Sequence, residues 1–233
     1  MLPEAGKDAF TGNENLRDVH LGAGTTESFT NMFSGCDNID TVTVSAGNSV
    51  YQADRNVLYA NRPDGMHLVF SPAANALSTY TVRPGTVAID NRAFKGNVNL
   101  TSIVLPEGLK SIGASAFSGC VKLADVSFPD SLEQVDGFQN TALEIVDFGR
   151  NIVEVKRVAF MGHNPAHVVI RGGKNGSYTA SGESAANVQP VKSVYLGEGM
   201  VKADLAAYSF NPPAIMVIPS TLSELRLNVP SGQ

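Results

Sequence analysis

Apolar residues in this chain fall into short clusters, each opened by an aromatic residue and closed by proline or glycine. In "LTSIVLP", residues 100–106, Leu100, Ile103 and Leu105 are placed to face inward, with Ser102 and Val104 outward. That spacing predicts a short half-buried strand, because successive strand side chains point to opposite faces. Pro106 follows at once, and the same place is taken by Pro129 after Phe128 and Pro219 after Ile218. Proline has no N–H to give a ladder and tends to end a strand. A second, weaker apolar group comes next: Leu109, Ile112 and Phe117 in one case, Leu132, Val135 and Phe138 in another. These are expected to line the opposite wall of the same coil.

The clusters repeat. Phe10, Phe33, Phe94, Phe117, Phe138 and Phe160 open similar frames, and the intervals 10/33, 94/117, 117/138 and 138/160 are 23, 23, 21 and 22 residues. Each frame holds an aromatic, usually a glycine two later, then a small polar or cysteine position and a strand-like run. One such unit cannot bury its apolar side alone, whereas stacked units can, which is the logic of a solenoid.

Frames such as "LTSIVLPEGLKSIGASAFSGC" and "LADVSFPDSLEQVDGFQN" resemble leucine-rich repeats of the BspA type, a class of bacterial surface proteins. Residues 47–94, with "VLY" and "LVFSPA" leading into "YTVRPGTVAIDNRAF", resemble the longer, hairpin-containing variant of that class. The resemblance implies one right-handed leucine-rich-repeat solenoid over residues 1–233, with short parallel strands on one face, turns or 3₁₀ segments on the other, and few helices. Regular repeats are expected at 8–46 and 93–171, the long repeat at 47–92, and divergent repeats at 191–227. The tract "RGGKNGSYTASGESAANVQP", 171–190, breaks the pattern and is expected as an exposed loop or a distorted repeat. The frame also departs from its norm at Met32 and Gly137. The whole is expected to be part of a larger surface protein.

Composition adds limits. Hydrophobic residues make up 43% of the 233 and charged ones 17%, enough apolar content for a sizeable core. The net charge of −5 is spread without a basic block, so nucleic acid is not an expected partner. No run of about 18 apolar residues is present, so membrane insertion of this segment is not expected either.

Candidate chemistry is sparse. Cys36 and Cys120 occupy the frame position filled elsewhere by Asn13, Asn97 and His163, which points to a bend rather than a nucleophile. They lie at least two coils apart, too far for a disulfide. His163 and His167 in "HNPAH" have helical metal spacing, but Pro165 sets them on a bend entering a strand. "RGGKNG" lacks the phosphate-loop spacing and reads as a turn. No cofactor or metal site is expected, nor catalysis. "NLT" at 99–101 and "NGS" at 175–177 fit the glycosylation pattern, relevant only in a eukaryotic secretory setting.

The strand face pointing away from the core remains. Its candidate ligand-binding residues are Asp18 and His20, Thr41 and Thr43, Ser102, Asp125 and Ser127, Asp147, His167, and Ser193 and Tyr195. Val104, Ile145 and Val169 share their outward positions. Mostly small, polar or acidic, the strip suits hydrogen bonding to a peptide or glycan. With the resemblance, it implies a non-catalytic recognition or adhesion module, extracellular or at the cell surface, that binds host or neighbouring-cell protein or glycan. The alternative is a structural spacer presenting another domain. The 171–190 tract is a second place where a ligand could sit.

Overall fold

The computed structural model describes residues 10–26, 33, 35–163, 165–181, 191–205 and 210–227. The chain coils so that, from the front strand Thr79–Thr81 onward, each turn contributes one strand to a front ladder and one to a back ladder. The front ladder is parallel and runs in three stretches. Asp18–Leu21 pairs with Thr41–Val44; Thr79–Thr81, Ser102–Val104 and Asp125–Ser127 form the second stretch. The third is Ile145–Phe148, His167–Ile170, Val191–Leu196 and Phe210–Val217. Leu100, Ile103 and Leu105 are buried and Val104 is exposed, as the alternation predicts.

The back wall differs from the expectation of turns and 3₁₀ segments. It is a ladder in its own right, running from Thr86–Ile89 through Ser111–Ile112, Gln134–Val135, Glu154–Lys156, Ser177–Ser181 and Lys202–Asp204 to Glu224–Arg226. Several strands are only two or three residues long, too short for a period-2 pattern to register in the sequence. The first part of the expected loop is likewise ordered: Lys174–Gly176 is a 3₁₀ turn, and Ser177–Ser181 pairs on both sides. Residues 182–190 lie outside the described residues.

At the third corner, phenylalanines stack. Ring centroids are 5.2 Å apart for Phe94 and Phe117, 4.8 Å for Phe117 and Phe138, and 5.9 Å for Phe138 and Phe160, with planes within 12° of parallel. Two residues past each ring the chain takes a left-handed conformation, at Gly96 (φ 76°), Gly119 (φ 78°) and Gly162 (φ 90°). Asn140 (φ 54°) fills that place after Phe138, asparagine being the non-glycine residue that tolerates it best. One residue further on, Asn97 accepts from the Asn99 and Leu100 N–H groups, Thr141 donates to the Phe138 carbonyl, and the thiols of Cys36 and Cys120 donate to the carbonyls of Phe10 and Phe94. Both cysteines are buried and unpaired, and burial pushes the Cys120 thiol up to about 12.

The 21-residue interval has a structural cause. Five positions separate Ile112 from Phe117, but Val135 reaches Phe138 in three, so this coil cuts its corner. Gly137 is required there, since a Cβ would come within 3.0 Å of the Ala116 nitrogen and Cβ. Asp136, on the shortened corner, keeps one buried carboxylate oxygen without a hydrogen-bond partner.

The long repeat contributes an antiparallel meander of Tyr51–Asp54, Val57–Arg62 and Gly65–Phe70, whose last strand pairs in parallel with Thr86–Ile89. Val57, Leu58, Tyr59 and Ala60 are all buried. Val57 and Tyr59 belong to the main core, Leu58 and Ala60 to a smaller N-terminal core with Val19, Phe33 and Ile39. A strand covered on both faces reads as an unbroken apolar run, which is the origin of "VLYA".

Candidate functional site

Every outward residue singled out from the sequence lies on the solvent side of the front ladder, aligned in rows by the register. Asp18 faces Thr41 and His20 faces Thr43. Ser102 stands between Thr79 and Asp125, and Ser127 beside Val104. In the third stretch one row is Ile145, His167, Ser193 and Ile215, and the next is Asp147, Val169, Tyr195 and Val217.

The polar members satisfy one another along the rows. Thr41 donates to Asp18, and the two ring nitrogens of His20 lie 2.9 Å from Thr43 Oγ1 and 2.9 Å from Ser45 Oγ. His167 Nδ1 is 2.7 Å from Ser193 Oγ. His167 is thus a row member, and among the described residues no three His, Cys, Asp or Glu side chains gather as metal ligands do.

The rows change character along the solenoid. The first two stretches carry Thr, Ser, Asp and His, with Val104 as the apolar exception. The third exposes Ile145 at 60%, Tyr195 at 45% and Ile215 at 67%, with Val217 also exposed and Val169 half-buried. The candidates therefore do not form one uniform polar strip, and Asp147 and Tyr195 have apolar neighbours.

Asp147 and Tyr195 also edge a groove of about 790 Å³. Arg171 spans it, its Nε donating to Asp147 Oδ1 at 2.7 Å and an Nη to Oδ2 at 2.6 Å. The carboxylate beside it raises the Arg171 pKa above the ordinary guanidinium value. Four glycines are among its lining residues: Gly172, Gly173, Gly197 and Gly199. Where regular coils leave the front strand through Pro106 and Pro129, these coils leave through Gly149, Arg171 and Gly197. A Cβ on Gly149 would lie 2.5 Å from Asp130 Cα, and one on Gly197 would strike the Arg171 carbonyl. Coils pack at this corner at backbone distance, which leaves the groove open above them. Arg171, Gly172 and Gly173 open the 171–190 tract named from sequence as a second place for a ligand, whereas Arg150, Gly197 and Gly199 were not chosen; the signal for this corner is the exchange of proline for glycine or arginine at the strand exit.

The repeated frame also matches a family model, BspA type Leucine rich repeat region, in six copies across residues 2–62 and 74–212. The chain belongs to this family. A search of curated proteins finds no match. Among solved structures, the chain is similar to a leucine rich cell surface protein from Faecalibacterium prausnitzii, with TM-score 0.64, 23% identity, and coverage of 97% of this chain and 50% of that one. It is also similar to the pneumococcal vaccine antigen PcpA, with TM-score 0.63, 22% identity, and coverage of 91% and 51%. At such identities the likeness establishes the solenoid fold, and this BspA-type chain spans about half the length of either neighbour. Among its described residues no helix is long and apolar enough to cross a membrane.

Proposed function

We propose that this BspA-type solenoid is a non-catalytic recognition module of an extracellular or cell-surface protein, holding a host or neighbouring-cell protein or glycan on its front face. The observation that carries this reading is the shift from polar to apolar rows along the front ladder. Parallel strands stand about 4.8 Å apart, so Val169, Tyr195 and Val217, with Ile215 beside Val217, form a contiguous apolar surface on a rigid support, and Ile145 stands apart from it beside Asp147 and His167. Exposed apolar patches with polar rims are typical of interaction sites, and the Asp147–Arg171 pair supplies such a rim. The description of one structural neighbour as a cell surface protein supports the location.

A spacer role is the second reading, favoured by the continuous ten-stranded sheet of back ladder and meander, which stiffens the stack. Binding to immobilised matrix proteins and glycans separates the two. Recognition predicts a captured ligand, with affinity falling about tenfold or more, or about 1.4 kcal/mol, on Tyr195→Ala or Asp147→Lys. Circular dichroism should show unchanged melting for both variants. Capture of nothing across the panel decides for the spacer.

A further inference from the structure

The geometry points to the groove beside Tyr195 as a binding site for a neutral pyranose unit of a glycan chain, an inference that rests on the front-face reading and narrows it. Three features of the groove favour a sugar ring over a peptide. First, Tyr195 is exposed at 45% in a row between Val169 and Val217, which gives an aromatic face flanked by aliphatic support. The C–H-bearing face of a pyranose stacks on such a surface, and the ring quadrupole favours that approach.

Second, the Asp147–Arg171 pair is planar, bidentate and edges the groove. Each carboxylate oxygen accepts one guanidinium N–H and retains a lone pair, while three guanidinium N–H bonds remain beyond those two. Donors and acceptors held side by side in one plane match adjacent sugar hydroxyls, each of which both donates and accepts. Third, Gly172, Gly173, Gly197 and Gly199 line the groove with backbone rather than side chains, so it has few aliphatic groups to hold a peptide's apolar anchor.

Charge selects the class. The lining contains Arg150 and Arg171 against Asp147 and Glu198, which balance. Arg171 is held by Asp147, and Glu198 accepts from Ser220 Oγ at 3.3 Å. A polyanionic glycan, phosphate or acidic peptide gains little from a balanced site, whereas an uncharged hydroxyl-rich ligand loses nothing there. A groove of about 790 Å³ lies within the ordinary range for small-ligand sites, about 300–1,000 Å³.

The test is isothermal titration of the intact chain with neutral linear oligosaccharides of glucose, galactose, mannose and N-acetylglucosamine, alongside polyanionic heparin. At least one neutral oligosaccharide should bind. Tyr195→Ala and Arg171→Met should each weaken it by about tenfold, Tyr195→Phe should retain it, and Gln134→Ala, exposed on the back ladder, should leave it unchanged. The inference is overturned if no neutral oligosaccharide binds, if heparin alone binds, or if Tyr195→Ala binds as well as the parent. A protein ligand still captured by the parent and lost on Ile215→Lys would then leave the front-face reading standing without the sugar site. No capture of any kind removes both.

Discussion

The hydroxyls of Tyr59 and Tyr80 meet at 2.7 Å, joining the meander to the first regular coil that follows it. Tyr80 donates to Asp54 at 3.0 Å, so Tyr59 donates to Tyr80, and the Arg83 N–H donates to Tyr59 at 3.3 Å. Burial raises both phenol pKa values above 10.0, with the mutual hydrogen bond raising Tyr80 further and lowering Tyr59. Removing one hydroxyl orphans its neighbour. Tyr80→Phe should cost about 1–3 kcal/mol in urea unfolding, and Tyr59→Phe/Tyr80→Phe less than the sum of the two singles. The pH dependence follows from the direction of the shifts. Above about pH 10 the unfolded chain releases these protons before the folded one does, so stability falls as pH rises. Tyr80→Phe should flatten that alkaline limb.

Phe117 is fully buried between Phe94 and Phe138, while Cys120 sits three residues on at a position where asparagine and threonine also serve. Phe117→Ala should cost about 3–5 kcal/mol. Cys120→Asn should cost far less, since Asn97 fills the equivalent place in the preceding coil. With its pKa at about 12, the Cys120 thiol should stay unreactive toward Ellman's reagent at pH 8 until the chain is denatured.

Why some features could be read from the residues and others could not is clear from particular positions. Phe94, Phe117, Phe138 and Phe160 mark the repeat because each ring touches its copy in the next coil, so side chain and spacing are fixed together. The outward rows followed from alternation within strands such as Ser102–Val104. Back-ladder strands such as Ser111–Ile112 and Gln134–Val135 escaped because one buried residue apiece makes no period. The groove was legible in part, through Asp147, Tyr195 and the 171–190 tract, but its closure was not, because only the backbone of the neighbouring coil shows what a Cβ at Gly197 would strike. The apolar row was missed because Ile215 and Val217 fall in a divergent repeat, whose register against Ser193 and Tyr195 is set by pairing across coils.

Asp136 stands at the shortened corner with one buried oxygen unpartnered. Burial raises its carboxyl pKa above 3.8, with Lys156 opposing and Glu154 adding to the shift. As pH rises past that value the unfolded state ionises first, so this residue withdraws stability toward neutral pH. Asp136→Asn should therefore stabilise the chain at pH 7, because the neutral amide removes the partly buried charge. Thermal melts at pH 7 and pH 3 should show the gain at the first and little at the second.

Substitutions at two positions probe the corner geometry from opposite directions. Gly197→Ala places a methyl against the Arg171 carbonyl and should destabilise by about 1–3 kcal/mol, as overpacking does. Asn140→Gly keeps the left-handed turn and should be close to neutral, whereas Asn140→Val should cost about 1–2 kcal/mol. Equal costs for Gly and Val would show that the turn does not depend on that conformation.

The strand Val57–Arg62 is a party wall. Leu58 and Ala60 close one room and Val57 and Tyr59 the other, so stripping the N-terminal coils leaves an apolar side of that wall bare to water. Under tension along its axis, a stack of identical coils can unzip from the end one rung at a time. Here the N-terminal coils have no such private exit: the force that frees them must also wet the wall they share with the rest.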